Sequence, residues 1–279
     1  MARRKVLRRF RGIETRDGAG VRLRRIFGFD DTAALDPFLL LDAFGSDRPE
    51  DYLAGFPWHP HRGIETVTYL LKGSVRHGDS MGNSGVIGPG DLQWMTAGSG
   101  IIHEEMPQRS EGGVHGFQLW VNLAAAGKMC DPAYHGVLAA EVPVRQVPGA
   151  LIRVLAGEYE GTRGPVTGIA RDPSYFDVTL EGSAAISLPT HPGSTAFVFV
   201  FEGALAGEAG PARAGDCLLF GPGDEAVLEA GPEGARCIFA SALPLREPVA
   251  WGGPIVMNTR EELDLAFREL DDGTFVKHG

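Results

Sequence analysis

Residues 56–63 read FPWHPHRG, and residues 98–105 read GSGIIHEE. His59 and His61 are spaced i, i+2, and a glutamate follows His103 at the same spacing. In an extended chain, side chains at i and i+2 point to the same face, so each pair can converge. Three imidazoles and one carboxylate from two strands would form a nitrogen-rich site for a divalent first-row metal, and open coordination positions would suit iron.

The residues around the two histidine segments indicate strands joined by tight turns. Residues 65–73, ETVTYLLKG, are typical of a strand that ends in a turn, and PGD at 89–91 predicts a turn before a strand at Leu92. Short hairpins bring residues that are distant in sequence to one interior point of a small β-barrel. A His-x-His pair by itself is commonly a surface pair. The second motif, His103 with Glu105, is what favours a metal site here.

The histidine segments resemble the metal motifs of the cupins, and in particular those of the pirin family. The motifs that carry the resemblance are HPHRG (59–63), ETV (65–67), PGDLQWMTAG (89–98), HEEMP (103–107), GFQLWVNL (116–123), PLREP (244–248) and GPIVMNT (253–259). They extend over nearly the whole chain, and the run from PGD to EMP is highly specific.

The composition and the resemblance lead to the same fold class. The 39 glycines and 19 prolines, with many short apolar runs, favour a turn-rich all-β architecture. The resemblance implies two tandem cupin β-barrels of the jelly-roll type: residues 1–134 with the metal site, and residues 135–279 with a degenerate barrel and a short C-terminal helix. Thr259 and Glu262 fit a capping box at the start of that helix, which we place at 259–270.

The second half looks like a degenerate repeat of the first. LLKGSV at 70–75 parallels VFEGAL at 200–205, and PGDL at 89–92 parallels AGDC at 214–217. On these offsets the five candidate ligand positions, His59, His61, Glu65, His103 and Glu105, fall on Pro189, His191, Thr195, Leu228 and Ala230. A single imidazole among apolar residues does not hold a metal tightly, so we expect no metal in this half and a hydrogen-bonded or surface role for His191.

The local pattern also predicts particular strands. We expect strands at 4–11 and 21–28, joined by the turn at residues 17–20. In the second half, we expect strands at 165–170 and, separately, at 225–229 and 235–241. Pro60 lacks an N–H for a central ladder, so the histidine pair is expected at a sheet edge or in a loop.

The resemblance implies, residue by residue, that the metal ligands are His59, His61, His103 and Glu105. Glu65 is the rival carboxylate, because many other cupins use a glutamate at that motif position. Gly63 can break the alternation between His61 and Glu65, whereas nothing breaks it between His103 and Glu105. His77 and His115 are expected to be surface or supporting groups. Phe56, Trp58 and Met95 are candidates for a pocket wall, with core packing as the alternative.

The resemblance implies Fe(II) as the metal, with Mn, Ni, Cu and Zn as alternatives for such a ligand set. It also implies a quercetin 2,3-dioxygenase type of activity, in which a flavonol-like small molecule and O₂ are the substrates. Glu105 could accept the hydroxyl proton of the flavonol as the catalytic residue. The alternative is a non-enzymatic, metal- and redox-sensing regulatory protein that binds a protein partner. A metal isomerase, or another cupin reaction on a small acid, is a third and weaker hypothesis.

Charge and composition argue against some partners. A formal net charge of −10 disfavours broad binding to nucleic acid, which depends on neutralising phosphates. The basic start, MARRKVLRRFR, has no apolar stretch behind it, so we expect no secretory signal. No apolar run approaches 18 residues, so we expect no membrane span. We therefore predict a cytoplasmic monomer whose three cysteines, Cys130, Cys217 and Cys237, are reduced thiols.

Overall fold

The computed structural model describes residues 2–208 and 210–278, and most of its regular structure is β-strand. The elements of the first half are β1 (Val6–Arg11), β2 (Ile13–Asp17), β3 (Val21–Phe27), α1 (Thr32–Leu35), β4 (Phe38–Ser46), β5 (Phe56–His61), β6 (Ile64–Lys72), β7 (Val75–Asp79), β8 (Ser84–Ile87), β9 (Leu92–Thr96), β10 (Ile101–Pro107), β11 (Val114–Asn122) and β12 (Ala133–Val137).

The elements of the second half are β13 (Val144–Val147), β14 (Ala150–Ala156), β15 (Glu158–Tyr159), β16 (Thr162–Arg163), β17 (Ser174–Leu180), β18 (Ala185–Pro189), β19 (Thr195–Leu205), β20 (Ala212–Arg213), β21 (Asp216–Phe220), β22 (Glu225–Ala242), β23 (Ala250–Gly252), β24 (Ile255–Met257) and α2 (Arg260–Asp271). Short 3-10 turns lie at Phe29–Asp31, Pro49–Asp51, Ala125–Gly127 and Ala139–Glu141.

The chain forms two compact units, and each takes in residues from the far end of the sequence. The first unit contains residues 13–32, 38–139 and 245–278, and the second contains residues 2–12, 33–37 and 140–244. The predicted domain bounds, 1–134 and 135–279, are continuous along the chain. They therefore do not place the N-terminal residues in the second unit or the C-terminal residues in the first. Helix α2 consequently belongs to the unit that contains His59, His61 and His103.

Two antiparallel sheets make up most of the first unit, and β23 and β24 add a two-stranded sheet. One of the two main sheets has seven strands in the order β12-β9-β6-β11-β4-β3-β2, and the other has four in the order β5-β10-β7-β8. Strand β5, with the histidine pair, is the edge of the four-stranded sheet, where Pro60 costs no ladder hydrogen bond on its free side. The edge position predicted from Pro60 is confirmed.

Strand β10 shows the alternation that the site requires. Its burial alternates along the strand, with His103 and Glu105 buried and Glu104 between them half-buried. This period of two follows from the pleat, which turns successive side chains to opposite faces. His103 and Glu105 therefore share the inner face of the first unit, as the spacing predicted.

The main sheet of the second unit has nine strands, seven of them in the order β1-β21-β19-β22-β17-β14-β13, with β18 paired to β22 and β20 to β19. Strands β15 and β16 form a separate two-stranded sheet. The interior of the second unit is a large apolar cluster that includes Ile152, Phe176, Val198 and Phe239. His191 lies outside this cluster on the exposed surface, and its Nδ1 accepts a hydrogen bond of 3.2 Å from the Gly193 amide. The predicted hydrogen-bonded or surface role of His191 is confirmed.

Three strand predictions were wrong. The turn at residues 17–20 joins β2 to β3, whereas β1 pairs with β21 inside the second unit. The predicted strand at 165–170 is reduced to one isolated bridge between Ala156 and Val166. The two predicted strands at 225–229 and 235–241 are one continuous strand, β22.

Helix α2 begins as predicted. The hydroxyl of Thr259 accepts from the Glu262 amide at 3.2 Å, and the Glu262 carboxylate accepts from the Thr259 amide at 3.0 Å. This reciprocal capping box satisfies two amides that have no partner inside the helix. Within residues 2–208 and 210–278, no helix is long and apolar enough to cross a bilayer.

Candidate metal centre and cavity

Three histidines converge on the inner face of the first unit. The pairing of β5 with β10 sets His59 directly opposite His103, and His61 lies two residues further along β5. The ring centroids are 4.4 Å apart for His59 and His103, 4.9 Å for His59 and His61, and 5.0 Å for His61 and His103. One nitrogen from each ring lies within 4.8 Å of the others.

The hydrogen bonds of His59 and His61 leave two lone pairs facing each other. The Nδ1 atoms donate to the carbonyls of Pro57 and Pro254, at 2.8 and 3.1 Å, because a carbonyl can only accept. In its neutral form each ring then has a bare Nε2, and these two atoms are 3.1 Å apart. Two lone pairs at this distance repel each other unless a proton or a metal ion lies between them, so the pair fits a metal ion.

His103 supports the same conclusion. Both of its ring nitrogens are buried and make no hydrogen bond. A buried polar atom without a partner is uncommon in folded proteins, and a metal bond is one way to satisfy it. Burial lowers the pKa of His103 well below its usual value and that of His61 to about 3, so both rings are neutral and can act as ligands near pH 7.

Glu105 lies beside this cluster. Among the described residues, the group whose potential metal-ligand atoms lie within 4.8 Å of one another contains the three histidines and not Glu105. The buried Glu105 carboxylate accepts a hydrogen bond from the Thr68 hydroxyl at 2.7 Å instead. Burial raises the pKa of Glu105, while the Thr68 bond and the positive charge that His59 can carry oppose that rise. A nearby cation would favour the ionised form.

The other two glutamates between residues 56 and 105, Glu65 and Glu104, bond to groups outside the histidine cluster. Gly63 has a φ of +76°, which breaks the alternation between His61 and Glu65. Glu65 is buried and accepts from the Thr96 hydroxyl at 2.9 Å. Glu104 forms an ion pair of 2.8 Å with Arg76.

A cavity of about 690 Å³ opens beside the histidines, within the first unit. Its volume is in the range of small-molecule sites. His59, His61, Thr68, Glu105 and Gln118 contribute polar groups, and the aromatic lining consists of Phe29, Phe44, Tyr52, Phe56, Trp58, Trp120 and Trp251. The site therefore combines metal-competent imidazoles, the two buried carboxylates of Glu105 and Asp42, and flat apolar walls.

Comparison with known proteins identifies the family. The model of the family Pirin matches residues 20–121, and the model described as the Pirin C-terminal cupin domain matches residues 175–276. A pirin-like protein of Caulobacter vibrioides is 45% identical over 274 residues, which cover 98% of this chain and 99% of that protein. The chain belongs to the pirin family.

Two further proteins match this chain over almost their full length. A Pseudomonas aeruginosa protein named "Putative quercetin 2,3-dioxygenase" is 41% identical over 280 residues, covering 98% of both chains. The crystal structure of quercetin 2,3-dioxygenase from Acinetobacter baumannii is 33% identical, with a TM-score of 0.89 and coverage of 98% of this chain and 99% of that one. The expected fold, two cupin domains with a short C-terminal helix, is confirmed.

Some of the candidate site residues predicted from the sequence lie away from the cavity. Phe56 and Trp58 line it, but Met95 packs in a core cluster with Leu39, Ile64 and Val256. His115 is paired with Asp47 at 3.0 Å, and His77 stacks on Tyr134 with ring centroids 5.6 Å apart. The three cysteines are free thiols: Cys217 and Cys237 are buried, and Cys130 is exposed.

The sequence did not predict several residues that line the cavity of the first unit. Trp251 comes from the C-terminal segment, next to the Pro254 carbonyl that orients His61. Its position could not follow from local pattern, because 193 residues separate His61 from Pro254. Asp42 and Gln118 also line the cavity, and they lie on strands whose pairing the sequence does not state.

Proposed function

We propose that this pirin-family chain is an iron-dependent dioxygenase of the quercetin 2,3-dioxygenase type, which opens the ring of a flavonol with O₂. The convergence of His59, His61 and His103 beside an aromatic-lined cavity carries this proposal. The names of full-length relatives in Pseudomonas aeruginosa and Acinetobacter baumannii support the same reaction class.

His59, His61 and His103 would hold the metal, with Glu105 as the fourth ligand. Bound Fe(II) would supply a Lewis acid for the hydroxyl and ketone oxygens of the flavonol and a meeting point for O₂. Mn, Ni, Cu and Zn suit the same donor set, so availability would decide among them.

Glu105 would also move a proton in this mechanism. Its carboxylate lines the cavity and is fixed by the Thr68 hydroxyl at 2.7 Å. A carboxylate whose pKa is raised by burial is a better base than an exposed one. Glu105 would therefore accept the proton of the flavonol hydroxyl.

The cavity walls would orient the substrate and exclude water. Trp120 lies near His61, with ring centroids 5.0 Å apart, and Trp251 lies 5.9 Å from Trp120. Aromatic faces of this kind favour a planar ring system in offset or tilted contact. The substrate would thus be held flat, with its hydroxyl and ketone edge toward the histidines.

The test is coupled consumption of O₂ and quercetin by Fe(II)-loaded protein, with release of carbon monoxide. His59→Ala and His103→Ala are expected to abolish turnover while circular dichroism shows a folded protein. His191→Ala, in the second unit, is the matched control and should keep the wild-type rate. Absence of turnover with Fe, Mn, Ni and Cu alike, across several flavonols, would overturn the dioxygenase proposal and leave the metal-dependent regulatory protein as the better hypothesis.

A further inference from the structure

Four polar residues face one another across four neighbouring strands of the seven-stranded sheet. They are Arg25 on β3, Asp42 on β4, Gln118 on β11 and Thr68 on β6, and each is the direct partner of the next in the antiparallel register. Directly opposite residues point to the same face of a sheet. All four line the cavity, and we refer to them as the polar row.

Apolar side chains flank the polar row on both sides. Two residues along the strands in one direction, Leu23 faces Phe44. Two residues along in the other direction, Leu40 faces Trp120. These four side chains also line the cavity, so this face is an apolar surface crossed by one polar stripe.

The polar row starts beside the histidines and runs away from them. Its inner end is Thr68, which is bonded to Glu105 at 2.7 Å. Adjacent strands are separated by about 4.8 Å, so Asp42, two strands further on, lies about 10 Å from Thr68. The stripe therefore extends from the candidate metal centre toward the part of the cavity that a second or third ring of a substrate would occupy.

The polar row keeps hydrogen-bonding capacity for a ligand. Arg25 donates to both oxygens of the Asp42 carboxylate, at 2.9 and 2.7 Å. A carboxylate oxygen has two lone pairs, so each can accept one more hydrogen bond. The single hydroxyl hydrogen of Thr68 lies between Glu105 and Gln118, at 2.7 and 2.8 Å, and can serve only one of them at a time. The half-exposed Gln118 amide can therefore bind another polar group.

We propose that the polar row determines substrate specificity and selects planar polyphenols that carry hydroxyl groups on the rings remote from the metal-binding oxygens. This inference rests on the proposed function for the inner end of the cavity. A remote phenol hydroxyl donates to the Asp42 carboxylate or bonds to the Gln118 amide, while the ring faces lie on the flanking apolar side chains. A flavonol without remote hydroxyls covers the Asp42 carboxylate and the Gln118 amide and leaves their remaining hydrogen-bonding capacity unfilled, which costs binding free energy.

Binding under nitrogen tests the proposal without turnover. Fe(II)-loaded protein is titrated with quercetin and with 3-hydroxyflavone, which lacks the remote hydroxyls, and quenching of tryptophan fluorescence gives each Kd. Wild-type protein should bind quercetin more tightly by roughly tenfold or more, the value of one or two hydrogen bonds to buried groups. Gln118→Leu and Asp42→Asn should each reduce that ratio by at least about threefold.

Two matched controls separate specificity from general damage. Gln146→Leu makes the same change at an exposed glutamine of β13. Asp177→Asn makes the same change at a buried aspartate that accepts from Arg236 at 3.0 and 2.6 Å in the second unit. Both controls should keep the wild-type ratio of Kd values. Gln118→Leu leaves the Arg25–Asp42 ion pair intact, so the test stands even if Asp42→Asn unfolds.

The outcomes distinguish this inference from the proposed function. Equal Kd values for the two flavonols in wild-type protein, or equal shifts in variants and controls, would overturn the role of the polar row. Selective binding that depends on Gln118, in a protein that never consumes O₂ with quercetin, would support the polar row and refute the dioxygenase proposal.

Discussion

Three glutamates lie between residues 56 and 105, and their surroundings predict different effects of substitution. Glu105 lines the cavity, Glu65 is bonded to Thr96, and Glu104 is paired with Arg76. We expect Glu105→Gln to weaken Fe(II) binding by about tenfold or more, because glutamine keeps the size and loses the charge. Glu65→Gln and Glu104→Gln should change the Kd for Fe(II) by less than about threefold. Anaerobic competition with a chelating dye measures this, and loss of metal in Glu65→Gln alone would contradict the assignment.

Lys128 is a residue whose importance only the folded chain reveals. Its ammonium is buried and donates to the Gly63 carbonyl, the Asn122 side chain and the Val256 carbonyl, at 2.8, 2.7 and 2.9 Å. Burial lowers its pKa to about 8, so it remains largely protonated at pH 7. Its three donors join the segment that follows His61 to the C-terminal segment.

We expect Lys128→Met to lower the free energy of unfolding by about 3 kcal/mol at pH 7, because three buried oxygens lose their donor. Urea denaturation measures the change. Lys72→Met, at a half-exposed lysine of the same unit, should cost less than about 0.5 kcal/mol. A Lys128→Met protein as stable as wild type would show that the buried ammonium costs as much in desolvation as its hydrogen bonds return.

The local sequence pattern predicted where strands occur better than it predicted which strands pair. Strands β3, β6 and β9 lie within a residue or two of the positions predicted for them, because their apolar runs and their turns are local features. The partner of β1 is not a local feature: β1 pairs with β21, about 200 residues away, with Phe10 opposite Cys217. The segment at 165–170 failed for another reason, since Gly168 has a φ of +76° and interrupts an extended conformation.

The same distinction applies to the site. The spacing of His59, His61 and His103 could be read from the sequence, and the structure brings these three together. The polar row could not be read in advance, because Asp42 and Gln118 become neighbours only through the β4–β11 register. The hydrogen bond between His61 and the Pro254 carbonyl could not be predicted from the sequence either, because it joins residues that are 193 positions apart.

The C-terminal segment is fixed to the histidine strand by Arg62. The buried guanidinium donates to the Ser99 and Phe275 carbonyls at 2.7 and 2.9 Å and pairs with Glu269 of α2 at 2.8 Å. It also lies 4.2 Å from the centroid of the Phe275 ring. Because Arg62 follows His61 directly, this clamp holds α2 next to the candidate metal centre.

We therefore expect Arg62→Met to reduce stability by about 3 kcal/mol and also to weaken Fe(II) binding by several-fold. Thermal unfolding and Fe(II) titration measure the two effects. Arg260→Met is the matched control. Arg260 lies on α2, pairs with Asp264 and has a side chain that is 77% exposed. If Arg62→Met lost stability and kept wild-type Fe(II) affinity, the clamp would have no part in positioning His61.

The protein as a whole contains two cupin domains with different interiors. The first unit has the three histidines and the cavity. In the second unit, the sequence offsets place Leu228 and Ala230 at the positions of His103 and Glu105, and both are buried in its apolar cluster. The expectation of a single metal per chain follows from this difference, and it underlies the function proposed for the cavity.

Metal content after reconstitution with Fe(II) tests this most directly. We expect about one equivalent of iron per chain in the wild-type protein and in His191→Ala, and less than about a tenth of an equivalent in His103→Ala after desalting. Circular dichroism would show that each variant is folded. Close to two equivalents in the wild-type protein, or equal loss of iron in His191→Ala and His103→Ala, would contradict a single centre formed by His59, His61 and His103.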